Sequence, residues 1–191
     1  MKFVVGLGNP GEWYAQTRHN VGWQVLGELD RMWRLGGWHE RWGGLAASKG
    51  EATLFRPLTH MNESGRAVAA LVGETGTALT DLLVVLDDMN LSLGALRMRP
   101  RGSAGGHRGL QSVIEWLGTD ELPRLRLGIG PGRPEMTGKD FVLSPFDEQE
   151  LPLVTQMVER ATLAVQSWAS EGVEAAMNRY NAPVEPEPGS A

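Results

Sequence analysis

Residues 82–88 read LLVVLDD, an uninterrupted run of five apolar residues followed at once by two aspartates. A run of this length without polar alternation is typical of a β-strand that is buried on both faces of its sheet. Such a strand needs helices above and below the sheet to cover its side chains. The stretch therefore predicts an α/β fold, with Asp87 and Asp88 at the carboxyl end of a central strand.

The segments around this run alternate between strand-like and helix-like patterns. Further strands are predicted at residues 2–5, 44–48, 52–55, 93–98 and 125–129. Helices are predicted from residue 19 to the glycines at 36–37, from residue 63, and at 110–117, 148–169 and 173–180. We predict a single α/β domain over residues 1–181, with a mixed, twisted sheet and helices on both faces. Residues 182–191 contain three Pro and two Glu and are expected to form a flexible, acidic, Pro-rich tail.

The composition excludes several classes of protein. The chain has 191 residues, 41% of them hydrophobic, which is enough apolar material for a sizeable core. It has no Cys, so disulfide frameworks, thiolate nucleophiles and Cys-ligated metal clusters are excluded. It has no run of about 18 apolar residues, so we expect neither a membrane span nor secretory export. The cytoplasm is the expected compartment.

Basic residues are concentrated in the middle of a chain whose net charge is -5. Residues 95–139 contain eight Arg and Lys against four Asp and Glu, a local excess of +4. The guanidinium group of Arg makes forked contacts with phosphate oxygens, so this segment is a candidate surface for an anion. From charge alone, a solvated surface is the simpler interpretation.

Gly6, Gly8 and Gly11 spell G-x-G-x-x-G directly after the first predicted strand, which is the spacing of dinucleotide-binding loops. Such a site needs a helix that begins within the glycines and an acidic residue at the end of a second strand about 20 residues later. Here Pro10 interrupts the loop, and the acidic residues at that distance fall inside the first predicted helix. The sequence therefore disfavours an oxidoreductase that uses nicotinamide or flavin.

His19 is the strongest candidate catalyst among the four histidines. It follows the loop that leaves the first strand, and Asp87 leaves another strand at what we expect to be the same edge of the sheet. An Asp that holds one ring nitrogen of a histidine leaves the other nitrogen free to take a proton from water. The residues alone leave Asp87 equally suited to cap a turn. No metal-binding spacing such as H-E-x-x-H and no G-x-S-x-G elbow is present, so water is the better nucleophile.

Asn9 and Asn62 each offer a carboxamide to a substrate. The alternatives are structural, because Asn9 precedes Pro10 as a turn residue would and Asn62 precedes a predicted helix as a cap would.

Six separate motifs follow one another along the chain. They are residues 6–11 (GLGNPG), Tyr14 with 17–22 (TRHNVG), 57–65 (PLTHMNESG), 87–91 (DDMNL), 102–110 (GSAGGHRGL) and 124–130 (RLRLGIG). In order and spacing they closely resemble the bacterial-type peptidyl-tRNA hydrolase family. The resemblance covers about residues 2–181, and several motifs in register are far more specific than any one of them.

By this resemblance the chain is a monomeric α/β hydrolase that cleaves the ester between a peptide and the 3′ ribose of tRNA, and so recycles tRNA from stalled translation. The resemblance implies that His19 is the catalytic base and that Asp87 supports it. It implies no cofactor and no obligate protein partner, and no metal is expected. The expected partner is tRNA that carries a peptide.

The resemblance also implies a set of substrate-binding residues. Asn62 matches a residue that holds the substrate and the reacting water or carbonyl. Asn9 matches the position that helps to distinguish a blocked amino end from a free one. Tyr14 and His60 match positions that line the site for the 3′ end, with Met61 beside them, although the family often has Phe where His60 stands.

Arg108 departs from the family, which usually has at this position an Asn that contacts substrate. An Arg donates hydrogen bonds and pairs with phosphate but cannot accept a hydrogen bond, so the contact changes character or passes to the main chain of the glycine loop. Arg97, Arg99 and Arg124 resemble the family's clamp for tRNA phosphates. Because of Arg108, a noncatalytic RNA-binding relative of the same fold is the alternative function.

Overall fold

A seven-stranded sheet forms the centre of the computed structural model, which describes residues 1–182. Its strands are β1 (Lys2–Gly6), β2 (His39–Arg41), β3 (Gly44–Lys49), β4 (Ala52–Pro57), β5 (Leu82–Ser92), β6 (Leu96–Arg99) and β7 (Arg124–Gly130). They lie in the order β2-β3-β4-β1-β5-β7-β6. The four strands from β4 to β7 in this order are parallel, and the strands outside this group pair antiparallel. The predicted mixed sheet is confirmed.

Helices cover both faces of this sheet, as predicted. Within the described residues they are α1 (Val21–Trp33), α2 (Ser64–Thr75), α3 (Arg108–Leu117), α4 (Gly138–Val142), α5 (Leu151–Glu171) and α6 (Val173–Tyr180). Side chains of β1 alternate between the faces, so Val4 packs with α1 and α5, whereas Phe3 and Val5 pack with α2 and α3. None of these helices combines the length and the apolar character that a bilayer-spanning helix requires.

β5 continues well past its predicted end at Leu86. It stays paired with β7 beyond Asp87, whereas β1 ends at Gly6, opposite Val85. From Leu86 onward β5 therefore has a neighbouring strand on one side only. Asp87 lies within the strand and not after it, beside the gap that opens in the sheet where β1 has ended.

Two short elements were not predicted. β2 has three exposed residues and pairs with β3, and α4 has five residues with one buried side chain, Phe141. Neither contains enough apolar residues to produce a periodic pattern. The predicted tail at 182–191 lies outside the described residues except for Ala182.

Candidate active site

A cleft of about 660 Å³ opens where β1 ends beside β5. Ligands of open α/β sheets bind beyond the carboxyl ends of the strands, which is where this cleft lies. The eight residues predicted to catalyse the reaction or to contact substrate near the scissile bond all line it: Asn9, Tyr14, His19, His60, Met61, Asn62, Asp87 and Arg108. The structure thus brings together residues from five separate motifs.

His19 and Asp87 are in direct contact in this cleft. The Nδ1 atom of His19 lies 2.8 Å from Oδ1 of Asp87. His19 sits on a short 3-10 turn just before α1, and Asp87 is 2% exposed within β5. Because the carboxylate is acceptor-only when ionised, Nδ1 carries the proton and the other ring nitrogen, Nε2, is left as an acceptor.

A second histidine, His107, holds the same carboxylate oxygen. Its Nδ1 accepts a hydrogen bond from the backbone N–H of Leu110 in the first turn of α3, at 3.1 Å. The proton is therefore on Nε2, which donates to Oδ1 of Asp87 at 3.0 Å. His107 was not predicted as a site residue, because its one local signal in the sequence is a position just before a predicted helix.

The pKa of Asp87 is lowered from its ordinary value. Burial alone raises the pKa of this carboxyl, but the charge and hydrogen bonds of His107 and His19 outweigh burial. Asp87 is therefore ionised at neutral pH and stabilises a positive charge on His19 when that ring takes up a proton.

The same three side chains are the candidate metal ligands of the described residues, with their nearest ligand atoms within 4.8 Å of one another. A neutral histidine that binds a metal through Nε2 carries its proton on Nδ1. In His107, Nδ1 already accepts the Leu110 N–H, which requires the ring proton to be on Nε2. The helix cap and a bound metal therefore require different tautomers of this ring. The arrangement suits a hydrogen-bonded triad better than a metal centre.

Asn9 is held so that its amide group faces the cleft. Its Oδ1 accepts the backbone N–H of Met61 at 2.8 Å, while the carboxamide of Asn20 bonds to both backbone groups of Asn9, at 2.9 and 3.0 Å. With Oδ1 occupied, the Nδ2 group of Asn9 remains as a donor toward a ligand. Asn9 therefore holds the loop at Met61 and lines the cleft with a free donor.

Three further side chains that line the cleft are free to meet a ligand. Tyr14 is half-buried, whereas His60 and Asn62 are exposed, and within residues 1–182 no hydrogen bond involves any of these three side chains. Asn62 lies in a short turn ahead of α2 and does not cap that helix. The structural alternative that the sequence left open for Asn62 is therefore not observed.

The first glycine loop, residues 6–11, packs against α1. A Cβ atom at Gly6 would lie 2.6 Å from the carbonyl oxygen of Gly22, and one at Gly8 would lie 2.8 Å from the indole of Trp23. The helix begins only at Val21, after two short turns and not within the glycines. These glycines therefore serve close helix–strand packing, in agreement with the exclusion of a dinucleotide site.

The second glycine loop, residues 102–109, is held in place by Arg126. This side chain donates to Oδ2 of Asp88 at 3.0 Å and to the carbonyl oxygen of Ser103 at 2.6 Å. Gly105 has φ +61, and a Cβ there would lie 2.6 Å from a guanidinium nitrogen of Arg126. Arg126 thus neutralises Asp88 and supports the loop, a role that charge counting did not indicate.

Arg18, next to the candidate base, joins the 3-10 turn that carries His19 to α4 and to Glu150. The guanidinium group is fully buried, forms a bidentate ion pair with Glu150 and packs between the rings of Phe141 and Phe146, 4.6 and 4.7 Å from their centres. Phe141 belongs to α4, which lines the cleft. Arg18 therefore fixes the positions of His19 and α4 relative to each other.

Arg97 and Arg99 lie on β6, an edge strand, with their side chains exposed. They stand opposite Arg126 and Arg124 of β7, respectively. Within residues 1–182 neither Arg97 nor Arg99 forms a salt bridge. Their charges are thus available to an external anion.

Arg124, the third predicted phosphate contact, is not at the surface, and that prediction is corrected. The side chain is 1% exposed, and burial, followed by the charge of Arg126, lowers its pKa to about 10. Its guanidinium group donates to four backbone carbonyl oxygens, those of Leu122, Gly102, Ser103 and Asp120. Arg124 holds the loops around the glycine segment and is too deeply buried to reach a phosphate.

Comparison with known proteins identifies consistent relatives. The family profile described as peptidyl-tRNA hydrolase matches residues 3–188. A peptidyl-tRNA hydrolase from Syntrophomonas wolfei is 44% identical over 185 residues, covering 95% of this chain and 100% of that protein. One from Symbiobacterium thermophilum is 46% identical over 186 residues, covering 94% and 98%. The crystal structure of the peptidyl-tRNA hydrolase from Acinetobacter baumannii matches with a TM-score of 0.85 at 30% identity, covering 95% of each chain.

Proposed function

Because the chain belongs to the peptidyl-tRNA hydrolase family, we propose that it hydrolyses the ester between a peptide and the 3′ ribose of tRNA, with His19 as the general base. The observation that carries this assignment of the base is the 2.8 Å contact between His19 and a buried, ionised Asp87 in the cleft. All the side chains that the proposal uses come from one chain, so the reaction needs no second copy of it.

In the proposed reaction, Nε2 of His19 takes a proton from water as the water oxygen attacks the ester carbonyl carbon. Asp87 stabilises the imidazolium ion that forms. As the bond between the carbonyl carbon and the ribose oxygen breaks, the same proton passes to that oxygen. The products are a peptide with a free carboxylate and tRNA with a free 3′ hydroxyl.

The remaining cleft residues divide between the two ends of the substrate. The carboxamide of Asn62 and the amides of the glycine loop are the donors for the negative charge that develops on the carbonyl oxygen. The Nδ2 group of Asn9 contacts the blocked amino end of the acyl group. Tyr14 and His60, with Met61 beside them, line the site for the 3′ end, where aromatic rings are suited to stack with unpaired bases.

The exposed arginines of β6 extend this site toward the tRNA phosphates. Like charges placed opposite each other on neighbouring strands destabilise a sheet. Asp88 offsets the charge of Arg126, but within the described chain Arg97 and Arg99 have no acidic partner. Phosphate groups of the substrate supply the missing negative charge.

Replacing His19 by Ala tests the base. We expect the hydrolysis of an N-acetylated aminoacyl-tRNA to fall by about 100-fold to 10,000-fold, which is the usual contribution of a general base, while the melting temperature stays near that of the unchanged protein. His39→Ala, at an exposed histidine on β2, is the matched control and keeps full activity. Retained turnover in His19→Ala would refute the base, and no turnover in the unchanged protein would favour the noncatalytic RNA-binding alternative.

Replacing both Arg97 and Arg99 by Ala tests the phosphate contacts. Each contact to a duplex phosphate contributes about 0.9 to the slope of log affinity against log salt, so the slope for tRNA binding should flatten by about 1.8. Arg101→Ala is the control, because Arg101 is already paired with Glu121 at 2.8 Å. If affinity and slope both stay unchanged in the double variant, these arginines are solvated surface.

A further inference from the structure

Two positive charges in the cleft have no acidic partner within residues 1–182. Arg108 is the first residue of α3 and Lys139 lies in α4, and both are exposed and line the cleft. Among the other charged groups that line the cleft, Asp88 is paired with Arg126 at 3.0 Å and the carboxylate of Asp87 accepts hydrogen bonds from two histidines, so three cationic side chains face two carboxylates. The cleft therefore carries an uncompensated positive charge next to the reacting groups.

The two cations reach the cleft from opposite faces of the sheet. α3 packs through Leu110 into the core on one face, and α4 packs through Phe141 into the core on the other. Arg108 also stands at the amino-terminal end of the ten-residue helix α3, where the helix dipole favours an anion. Each of the two helices therefore contributes one cation to the lining of the cleft that contains His19.

We propose that Arg108 and Lys139 form an anion subsite that holds a phosphodiester of the single-stranded 3′ end of the substrate. The proposal rests on the proposed function and extends it, because it names the group that these two residues bind. Each tRNA has phosphodiesters next to its terminal ribose, whereas carboxylates in the peptide vary with its sequence. The planar fork of Arg108 matches two oxygens of a phosphate, and Lys139 acts as a point charge.

Two small substrates separate the phosphodiester from the rest of the ligand. One is an N-acetylaminoacyl ester of adenosine, which has no phosphodiester, and the other is the same ester on a short oligoribonucleotide with two. For Arg108→Gln and Lys139→Gln we expect KM for the oligonucleotide ester to rise by about tenfold each, as for the loss of one charge-assisted contact. With the adenosine ester the rise in KM should be much smaller, because that ester has no phosphodiester for the two residues to bind. The control is Arg66→Gln, at an exposed arginine of α2 outside the cleft.

A binding experiment makes this test independent of turnover. In the His19→Ala background, titration with the unacylated oligoribonucleotide should show a loss of affinity of about tenfold for each substitution. The salt slope should fall by about 0.7 for the pair, since the two residues share one phosphate and each phosphate of a single strand contributes about 0.7. This arm decides the subsite even if the unchanged protein proves to hydrolyse no ester.

Three results would overturn the proposal. Equal losses with both esters would mean that the cations act on a group other than a phosphodiester. Losses confined to acyl groups with an acidic side chain, with a glutamyl ester compared against a glutaminyl ester, would identify a carboxylate as the anion. Unchanged oligonucleotide affinity in the double variant would show that Arg108 and Lys139 are solvated.

Discussion

Replacing Asp87 by Asn should leave the hydrogen bonds of the triad in place and remove their charge. Both histidines donate to one atom, Oδ1 of Asp87, at 2.8 and 3.0 Å, and the amide oxygen of Asn accepts the same two bonds. What is lost is the attraction between the carboxylate and the imidazolium ion, about 4 kcal/mol for unit charges about 4 Å apart at an effective dielectric constant of about 20. The rate of the hydrolytic step should therefore fall by about 1,000-fold.

The assay for Asp87→Asn is single-turnover hydrolysis of an N-acetylated aminoacyl-tRNA with enzyme in excess, which isolates chemistry from product release. Unfolding measured from pH 7 downward adds a second readout. Because the pKa of Asp87 is lowered in the folded protein, its ionisation contributes stability above the unfolded-state pKa of about 3.9. The stability difference between the unchanged protein and the variant should shrink as the pH falls below about 4. A folded variant that retains more than about a tenth of the rate would refute the electrostatic role.

Three further substitutions probe the residues around the triad. Arg124→Met removes hydrogen bonds to four backbone carbonyls and leaves those of Leu122 and Gly102 without a donor, which should destabilise by about 4 kcal/mol and lower the melting temperature by about 8 to 16 °C. Arg99→Met should stay within about 0.5 kcal/mol, and equal melting curves would contradict the burial argument. Glu150→Gln leaves Arg18 without its counter-ion and should cost about 3 to 5 kcal/mol by urea unfolding. The pKa of Glu150 is lowered because hydrogen bonds from Arg18 and from a backbone amide outweigh burial, so this cost should decline below about pH 4, and a cost independent of pH would count against it. His107→Ala removes the side chain that caps α3 and should lower the free energy of unfolding by about 1 kcal/mol. The rate of hydrolysis in the same single-turnover assay should also fall. A change in stability alone would make His107 a purely structural residue.

Most of the fold was predictable because burial leaves a pattern in the sequence. β5 is covered on both faces, so its first half is an unbroken apolar run, and the helices carry apolar residues at helical spacing. The elements that were missed depend on contacts and not on composition. β2 has three exposed residues and exists because β3 offers backbone groups to pair with. The second half of β5 likewise continues because β7 stays paired with it, although four of the six residues at 87–92 are polar.

The candidate site was predictable to the extent that topology decides it. His19 and Asp87 follow or lie in parallel strands whose carboxyl ends meet, so an α/β fold favours their proximity. His107 was not predictable in this way, because its role depends on two contacts at once. The hydrogen bond from the Leu110 N–H to Nδ1 places the proton of His107 on Nε2. Only in that tautomer can His107 donate a hydrogen bond to Asp87. The sequence indicates a helix start at this point but contains no signal for the distant carboxylate.

The arginines of β6 and β7 show why a local excess of charge does not by itself define a binding surface. Arg97 and Arg99 have the same two-residue spacing as Arg126 and Arg124, and each stands opposite one of them. β7 is an inner strand, so its arginines are satisfied internally, by the carboxylate of Asp88 or by backbone carbonyls. β6 is the edge strand, so its arginines remain in water with their charge available. The order of strands in the sheet therefore decides which cations face a substrate, and that order is not contained in the spacing of the residues.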